Sequence, residues 1–249
     1  MIIGAVGDVH GRRFLEYLKA ATMTRQPDLL LLAGDLTEDN DVDQYAMAVD
    51  ELRARTTAEM IAVFGNEEYE GTRPSYKDRF PLRFLDDESV VLDRSGMKVK
   101  IVGTTGPLDR PTWWQRTNLP DAWRRYQLRL DKIGSLLERD DADLLILLSH
   151  YAPTYRTLAG EREDRFPEMG SRRLESIVIR KHPDVVFHAH AHLGAKEAFL
   201  AKEQRSLNDF GKETRKIPVY NVSLPLNRSI TCVRASKAEE GLHIQKEVC

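Results

Sequence analysis

The stretch "MIAVFGNEEY", residues 60–69, contains the pattern that decides the fold of this chain. Five apolar residues predict a buried strand, and a polar cluster that begins at Gly65 follows it directly. The same arrangement recurs along the chain. We therefore predict five strands that each end in a polar cluster: Ile2–Val6, Leu29–Ala33, Met60–Phe64, Leu144–Leu148 and Val185–Phe187.

Stretches with apolar residues at helical spacing separate these strands, mainly in the first half of the chain. They predict helices near residues 12–22, 41–55, 121–139 and 171–181. Strands that alternate with helices and consist of nearly continuous apolar runs are typical of parallel sheets buried on both faces. The sequence therefore predicts an α/β fold.

Two further regions have a different pattern. Residues 89–105 predict a hairpin around Ser95 and Gly96, and residues 217–248 predict a meander of short strands. We expect these regions to build a second sheet. The connections at residues 69–86 and 104–120 show little periodicity, and long irregular loops of this kind often bind or cover a ligand.

The composition is that of an ordinary globular protein, with 249 residues, 41% of them hydrophobic and 31% charged. This length predicts a single domain over residues 1–249. The formal net charge is −2 and the basic residues form no long run, so a general affinity for nucleic acid is not indicated.

Compartment and membrane association are also predicted from simple features. The first apolar run begins at residue 1, and no stretch approaches the roughly 20 apolar residues of a membrane span. Cys232 and Cys249 lack metal-ligand spacing, and we predict that both are free thiols. We expect a cytoplasmic protein without a membrane partner.

The polar clusters carry side chains that bind metal ions, and open α/β sheets bind ligands beyond the carboxyl ends of their strands. Each cluster alone is a weak signal, because Asp and Asn are common in turns and a lone His is usually structural. The three histidines of "HAHAH" are stronger, because alternate residues of an extended segment share one side. In chain order the clusters offer Asp8, His10, Asp35, Asn66, His150, His188, His190 and His192.

In order and spacing these clusters resemble the signature of the calcineurin-like metallophosphoesterase family. That signature runs Asp-x-His, Gly-Asp, Gly-Asn-His-Asp/Glu, a later His, and Gly-His-x-His. The resemblance covers essentially the whole chain and implies a four-layer αββα sandwich. It aligns Ala189 with the usual Gly of the last motif, so that His190 and His192 match the family ligands. His188 then precedes the motif and is expected to lie outside the coordination shell.

The resemblance also implies two divalent metal ions. One would be bound by Asp8, His10 and His192, the other by Asn66, His150 and His190, and Asp35 would bridge the two. Oxygen and imidazole ligands without a thiolate suit Mn²⁺, which we expect first, but also Fe, Co²⁺, Ni²⁺ or Zn²⁺. Two such ions can hold a bridging hydroxide that attacks phosphorus and can polarise the phosphoryl oxygens. We expect a hydrolase that acts on a small phosphodiester or phosphomonoester.

The chain departs from the family pattern at Glu67, where the family commonly has a histidine that protonates the leaving group. We expect Glu67 to lie near the leaving group and to be ionised by the nearby cations, so that aryl esters react faster than alkyl esters. Arg12, together with Arg13, is a candidate clamp for phosphate oxygens, although both could simply be solvated helix residues.

Two alternatives to a small-molecule phosphoesterase remain at this point. A metal-dependent nuclease would have the same fold, although the absence of a basic run counts against it. A non-catalytic metal-binding scaffold would also have this fold, and the missing histidine favours it while the complete ligand set does not. In the phosphoesterase, Trp113 and Trp114 of the second long connection could close over the substrate.

Overall fold

The computed structural model describes residues 1–201, 216–238 and 241–247. Within these ranges the strands are β1 Ile2–Val6, β2 Leu29–Leu32, β3 Glu59–Ala62, β4 Arg83–Phe84, β5 Glu88–Arg94, β6 Met97–Thr104, β7 Leu144–Ser149, β8 Val185–His188, β9 Glu197–Leu200, β10 Ile217–Asn221, β11 Thr231–Ala238 and β12 Gly241–Glu247. The α-helices are α1 Leu15–Ala20, α2 Val42–Arg53, α3 Arg73–Arg79, α4 Trp113–Asn118, α5 Ala122–Leu136, α6 Arg172–Lys181 and α7 Leu224–Asn227.

The strands form two six-stranded mixed sheets. The first has the order β12-β11-β1-β2-β3-β4, in which β1 to β4 are parallel and β11 and β12 are antiparallel additions. The second has the order β5-β6-β7-β8-β10-β9, in which β6, β7, β8 and β10 are parallel and both edge strands are antiparallel.

The sheets pack face to face, and helices cover their outer faces. Ile3 and Leu31 of the first sheet share one buried cluster with Ile146 and Phe187 of the second. The outer face of the first sheet packs on α1 and α2, and that of the second packs on α5 and α6. The predicted four-layer αββα sandwich is confirmed.

The five predicted strands are present; Ile2–Val6 agrees at both ends, and the other four differ by one or two residues at one or both ends. The helix predicted near residues 12–22 is instead a 3₁₀ turn, Gly11–Arg13, followed by α1. The helix predicted at 41–55 begins after Asp41, whose side chain accepts the backbone N–H groups of Asp43 and Gln44. The hairpin is also present, and Ser95 and Gly96 both have positive φ, as its tight turn requires.

The prediction that the hairpin and the meander build a second sheet is confirmed only in part, because β5, β6 and β10 lie in the second sheet whereas β11 and β12 lie in the first. The five apolar strands are divided between the sheets, with β1, β2 and β3 in one and β7 and β8 in the other. Since β1 and β7 would otherwise be exposed edges, each is covered from one of these regions: β11 pairs with β1, and β6 pairs with β7.

The two connections predicted to be irregular contain short regular elements. Residues 69–86 include α3 and β4, and residues 104–120 include α4. The start of α4 is fixed by a capping box, in which Thr112 and Gln115 exchange hydrogen bonds between side chain and backbone at 2.9 and 3.2 Å. The Thr-x-x-Gln spacing that forms it is visible in the sequence, so this helix could have been predicted.

The predicted free thiol at Cys232 is wrong, because this cysteine is disulfide-bonded. Cys249 lies outside the described residues. The cysteines therefore give no support for a cytoplasmic location. Among the helices of the described ranges, none combines the length and the apolar composition that crossing a bilayer requires.

Candidate metal centre

The carboxyl ends of β1, β2, β3, β7 and β8 meet at one edge of the sandwich. The first sheet is connected there by backbone bonds from Asp8 N–H to Gly34 O and from His10 N–H to Asp35 O, both 3.0 Å. Gly7 lies where the two sheets approach, since a Cβ at this position would be 2.6 Å from the Cβ of Ala189. The seven predicted metal ligands therefore converge, and we call Asp8, His10, Asp35, Asn66, His150, His190 and His192 the ligand cluster.

One half of the ligand cluster consists of Asp8, His10 and His192. The His192 Nε2 atom lies 3.4 Å from Asp8 Oδ2, and it lies 3.3 Å from His10 Nε2. Donor atoms of the three side chains are all within 4.8 Å of one another. Two imidazole nitrogens that share one cation at about 2.1 Å would be about 3.0–3.4 Å apart, which matches the observed separation.

The other half consists of Asp35, His150 and His190, with Asn66 beside them. His150 Nε2 lies 3.3 Å from Asp35 Oδ2 and 3.1 Å from Asn66 Oδ1. Donor atoms of Asp35, His150 and His190 also lie within 4.8 Å of one another. The structure thus brings all the predicted ligands together in two adjacent groups.

Contacts behind the ligands fix their orientation. His150 Nδ1 is 2.9 Å from the carbonyl oxygen of Ala33, which can only accept, so Nδ1 carries a proton and Nε2 faces the centre. Asp35 Oδ1 accepts the backbone N–H of Glu67 at 2.8 Å, and Asp8 Oδ2 accepts that of His190 at 2.7 Å. A Cβ at Gly65 would lie 2.0 Å from Asp35 Oδ1, so only glycine fits there.

Several ligands have a backbone conformation that L-residues rarely adopt. Asp8, His10, Asp35 and His190 have φ values of 56°, 47°, 51° and 70°. Left-handed residues of this kind are costly and cluster at functional sites. The value at His190 also corrects the argument for "HAHAH": the segment is not extended beyond His188, where β8 ends, and a turn rather than strand alternation places His190 and His192.

The buried charges of the cluster fit a divalent cation. Burial alone would raise the pKa of Asp8, but a hydrogen bond and charge from His192, with the charges of His150 and His10, lower it overall. Burial also opposes ionisation of Asp35, whose pKa is nevertheless lowered by the charge and hydrogen bond of His150. In the described chain, Asp8 Oδ1 and His10 Nδ1 are buried without a hydrogen-bond partner. Two ionised carboxylates among imidazoles form a donor set for a transition-metal cation.

The pKa values of two histidines in the ligand cluster are shifted in opposite directions. Burial would lower the pKa of His150, but the charge of Asp35 and the hydrogen bond to it raise the pKa to about 9. The pKa of His190 falls to about 3, chiefly because of burial and then because of the charge of His150. His188 belongs to neither half of the cluster, and its Nδ1 lies 2.8 Å from the carbonyl oxygen of Ala189.

Glu67 lies between the ligand cluster and a neighbouring loop. Its Oε1 atom accepts the side-chain amide of Asn66 at 2.9 Å, and its Oε2 atom accepts the backbone N–H of Asp39 at 3.0 Å. Burial, followed by the charge of Asp35, raises the pKa of Glu67. The carboxylate therefore orients the Asn66 amide so that its oxygen faces His150.

Glu68 was not singled out from the sequence, although it stands at the acidic position that ends the Gly-Asn-His-Asp/Glu motif. Its buried carboxylate accepts the backbone N–H groups of Gly65, Asp35 and Leu36 at 2.6, 3.0 and 2.8 Å. Burial and the charge of Asp35 raise the pKa of Glu68 to about 7. Glu68 thus joins the loop after β3 to the loop after β2.

The arginines predicted to clamp phosphate are exposed. Arg12 donates its backbone N–H to Gln44 Oε1 at 3.3 Å, and within the described chain no hydrogen bond or ion pair joins its guanidinium to the ligand cluster. Arg13 pairs with Glu38 at 3.2 Å and lies over the ring of Phe14. A phosphate contact from Arg12 stays a prediction.

A cavity of about 610 Å³ opens beside the cluster, with Asn66, Glu67 and His190 in its wall. The opposite wall includes residues of α4 and α5. Four aromatic residues line the cavity, and we call them the aromatic wall: Tyr69, Trp114, Tyr126 and Tyr151. Trp113, also considered from the sequence, does not line it. The sequence pattern suggested the tryptophans but gave no sign of the three tyrosines.

The model of the calcineurin-like phosphoesterase family matches residues 1–194. The chain belongs to this family. No curated protein matches it at a significant level. Among solved structures it is similar in fold to phosphopantetheinyl hydrolase from Mycobacterium tuberculosis, with a TM-score of 0.60 and 14% identity over 89% of this chain and 88% of that one.

Two nucleotidases share the family fold with this chain. One is a putative 5'-nucleotidase from Staphylococcus aureus, with a TM-score of 0.51, 14% identity, and coverage of 100% of this chain and 53% of that one. The other is the NAD nucleotidase of Haemophilus influenzae, with a TM-score of 0.52, 12% identity, and coverage of 99% and 55%. The chain spans about half the length of these two proteins. Identities this low indicate a shared fold only.

Proposed function

We propose that this protein is a dinuclear, divalent-metal-dependent phosphoesterase in which residues 1–249 act as one catalytic domain. In this proposal Asp8, His10 and His192 bind one ion, Asn66, His150 and His190 bind the second, and Asp35 bridges them. The observation that carries the proposal is the convergence of seven oxygen and imidazole donors from five strand ends. Membership of the family supports a hydrolase, and Mn²⁺ is our first choice of metal.

When bound, two such ions would lower the pKa of coordinated water and polarise the phosphoryl oxygens of the substrate. The protein's own part is to hold the donors in place. Ala33 O fixes the tautomer of His150, and the Glu67 N–H fixes Asp35. Asn66 supplies a neutral oxygen, so the ligand cluster contains only two carboxylates. This limits the negative charge that would repel a phosphate ester.

We assign Glu67 as a positioning residue rather than as a proton donor. Both of its carboxylate oxygens already accept hydrogen bonds, from Asn66 and from Asp39. No other residue takes the place of the family histidine in the motif. Without general-acid help, which contributes about 10²–10⁴-fold, poor leaving groups should react slowly. We therefore propose small phosphoesters with good leaving groups as the first substrates to test.

The test is turnover of 4-nitrophenyl phosphate and bis(4-nitrophenyl) phosphate after the protein has been stripped with a chelator and reloaded with Mn²⁺, Co²⁺, Ni²⁺, Zn²⁺ or Fe²⁺. We expect metal-dependent release of 4-nitrophenolate. His190→Gln should abolish it, whereas His243→Gln, at an exposed histidine of β12, should not.

Two results would contradict this function. A protein that binds two equivalents of metal but releases no product from either ester would be a scaffold. Faster cleavage of single-stranded DNA than of either small ester, lost equally in His190→Gln, would indicate a nuclease.

A further inference from the structure

The cavity beside the ligand cluster has a wall whose composition restricts what it can bind. We propose that it binds the organic part of the phosphoester, and that this part carries a planar, uncharged aromatic group. The inference rests on the proposed function, because Asn66 and His190 form the end of the cavity where the phosphoryl group would lie. A volume of about 610 Å³ is in the range of small-molecule sites.

The first observation is that two rings of the aromatic wall are about half exposed. Tyr69 is 48% exposed and Trp114 is 54% exposed, and neither contacts another aromatic ring in the described part of the chain. The other two rings, Tyr126 and Tyr151, are buried at 6% and 4% exposure. Exposed aromatic side chains at the edge of a cavity can stack on a planar ligand at a small cost in side-chain entropy.

The second observation is that Trp114 is held in position rather than lying on a loose loop. The capping box of Thr112 and Gln115 fixes the first turn of α4 on both sides of it. The Gln115 side chain also donates to the hydroxyl of Tyr151 at 3.3 Å, inside the same wall. The backbone that carries Trp114 is therefore already ordered, which favours binding because less order has to be gained.

The third observation is that each guanidinium in the cavity wall already has a carboxylate partner. Arg125 pairs with Glu70 at 2.7 Å, and both residues line the cavity. The other two ion pairs are Arg73 with Asp86 at 2.7 Å and Arg129 with Asp87 at 2.8 Å. An anionic group on the ligand would have to compete with these carboxylates.

The acidic residues of the wall are occupied as well. Glu168 pairs with Arg110 at 3.1 Å and with Arg165 at 2.8 Å. Glu67 accepts two hydrogen bonds from protein groups, and Glu68 is buried beneath them. The wall therefore offers aromatic surface and compensated charge. An uncharged aromatic group can enter the cavity without disrupting these ion pairs and without burying a charge of its own.

The experiment measures binding without turnover. Mn²⁺-loaded protein is titrated calorimetrically with naphthalen-2-ylmethylphosphonate and with its fully saturated decahydro analogue, two ligands that differ in planarity and aromaticity. We expect the aromatic phosphonate to bind more tightly. Trp114→Ala should weaken it about tenfold and should affect the saturated analogue little.

Trp113→Ala is the matched control, because Trp113 precedes Trp114 in the same helix, is 70% exposed and does not line the cavity. It should change neither affinity. If Trp114→Ala is poorly folded by circular dichroism, Trp114→Leu provides the same test with an apolar side chain.

Equal affinity for the two phosphonates, or equal effects of the Trp113 and Trp114 substitutions, would overturn the inference while leaving the proposed function intact. A 6-carboxy derivative that binds more tightly than the parent naphthyl compound would overturn its uncharged part. Failure of both phosphonates to bind the metal-loaded protein would instead contradict the proposed function.

Discussion

The ligand cluster and the aromatic wall lie side by side but are built in opposite ways. Asp8 and His150 are fully buried, and hydrogen bonds from neighbouring strand ends hold their loops in place. Tyr69 and Trp114 are about half exposed and come from connections between strands. The fold thus determines the donor set, whereas the connections between strands determine what can lie next to it.

Replacement of Asp35, the residue proposed to contact both ions, should have the largest effect on metal content and activity. In Asp35→Asn, both ions lose a charged ligand, so we expect loss of both metals and at least about a 100-fold fall in activity. His192→Ala should weaken mainly one ion. Metal analysis after gel filtration measures the stoichiometry. Asp35→Asn protein with two full equivalents of metal and unchanged activity would refute the bridging role.

Metal affinity should depend on pH through His150. Its pKa is raised from an ordinary 6.5 to about 9, so protonation of His150 stabilises the metal-free folded protein. This stabilisation is fully present below pH 6.5 and is lost as the pH rises towards 9. A cation requires the neutral imidazole, so its affinity should rise about tenfold per pH unit from about 7 to 9.

Calorimetry in two buffers of different ionisation enthalpy tests this dependence, because at least the His150 proton should be released near pH 7.5. Burial would lower the pKa of His192, but its hydrogen bond to Asp8 raises it overall, so His192 should add to this release. The pKa values of Asp8 and Asp35 are lowered, so neither carboxylate should contribute a proton in this window. Affinity that is constant from pH 6.5 to 9 would contradict the assignment of His150.

The boundary between the two regions lies at Glu67. Glutamine at this position can accept with only one oxygen, so Glu67→Gln should lose the bond to Asn66 or the bond to Asp39. We expect about tenfold weaker metal binding, with aryl ester turnover restored at saturating Mn²⁺. Glu16→Gln, at an exposed position of α1, is the control. A turnover deficit that persists at saturating metal would give Glu67 a direct role in the reaction.

The smallest effect is expected at His188, next to the cluster but outside it. Glutamine can keep a donor towards the Ala189 carbonyl, so His188→Gln should retain two metals. Loss of one metal in this variant, with retention in His190→Gln, would mean that the motif had been aligned two residues away from its true position.

The ligand cluster could be predicted from the sequence because each donor stands within a few residues of a strand end. Asp8, Asn66 and His150 follow apolar runs whose direction fixes where they converge. The division of the strands between two sheets could not be predicted, because an apolar run does not specify which edge it pairs with. The role of Glu68 was also missed, since a buried acid and an exposed acid look alike in a sequence.

The aromatic wall could not be predicted from the sequence either. Tyr69 and Trp114 are 45 residues apart in sequence, and their placement on one cavity depends on how α4 and the loop after β3 fold back over the sheets. Of the four residues of the wall, only Trp114 was considered from the sequence, because it lies with Trp113 in a long connection. The lining of the cavity is therefore apparent only in the structure.

The proposed function requires that seven side chains from five strand ends form a two-metal centre. Anomalous diffraction from crystals soaked in Mn²⁺ tests it most directly. We predict two peaks about 3.5–4 Å apart. One should lie among Asp8, His10 and His192, the other among Asn66, His150 and His190, with Asp35 in contact with both. A single peak, or peaks located away from these residues, would contradict the two-metal centre.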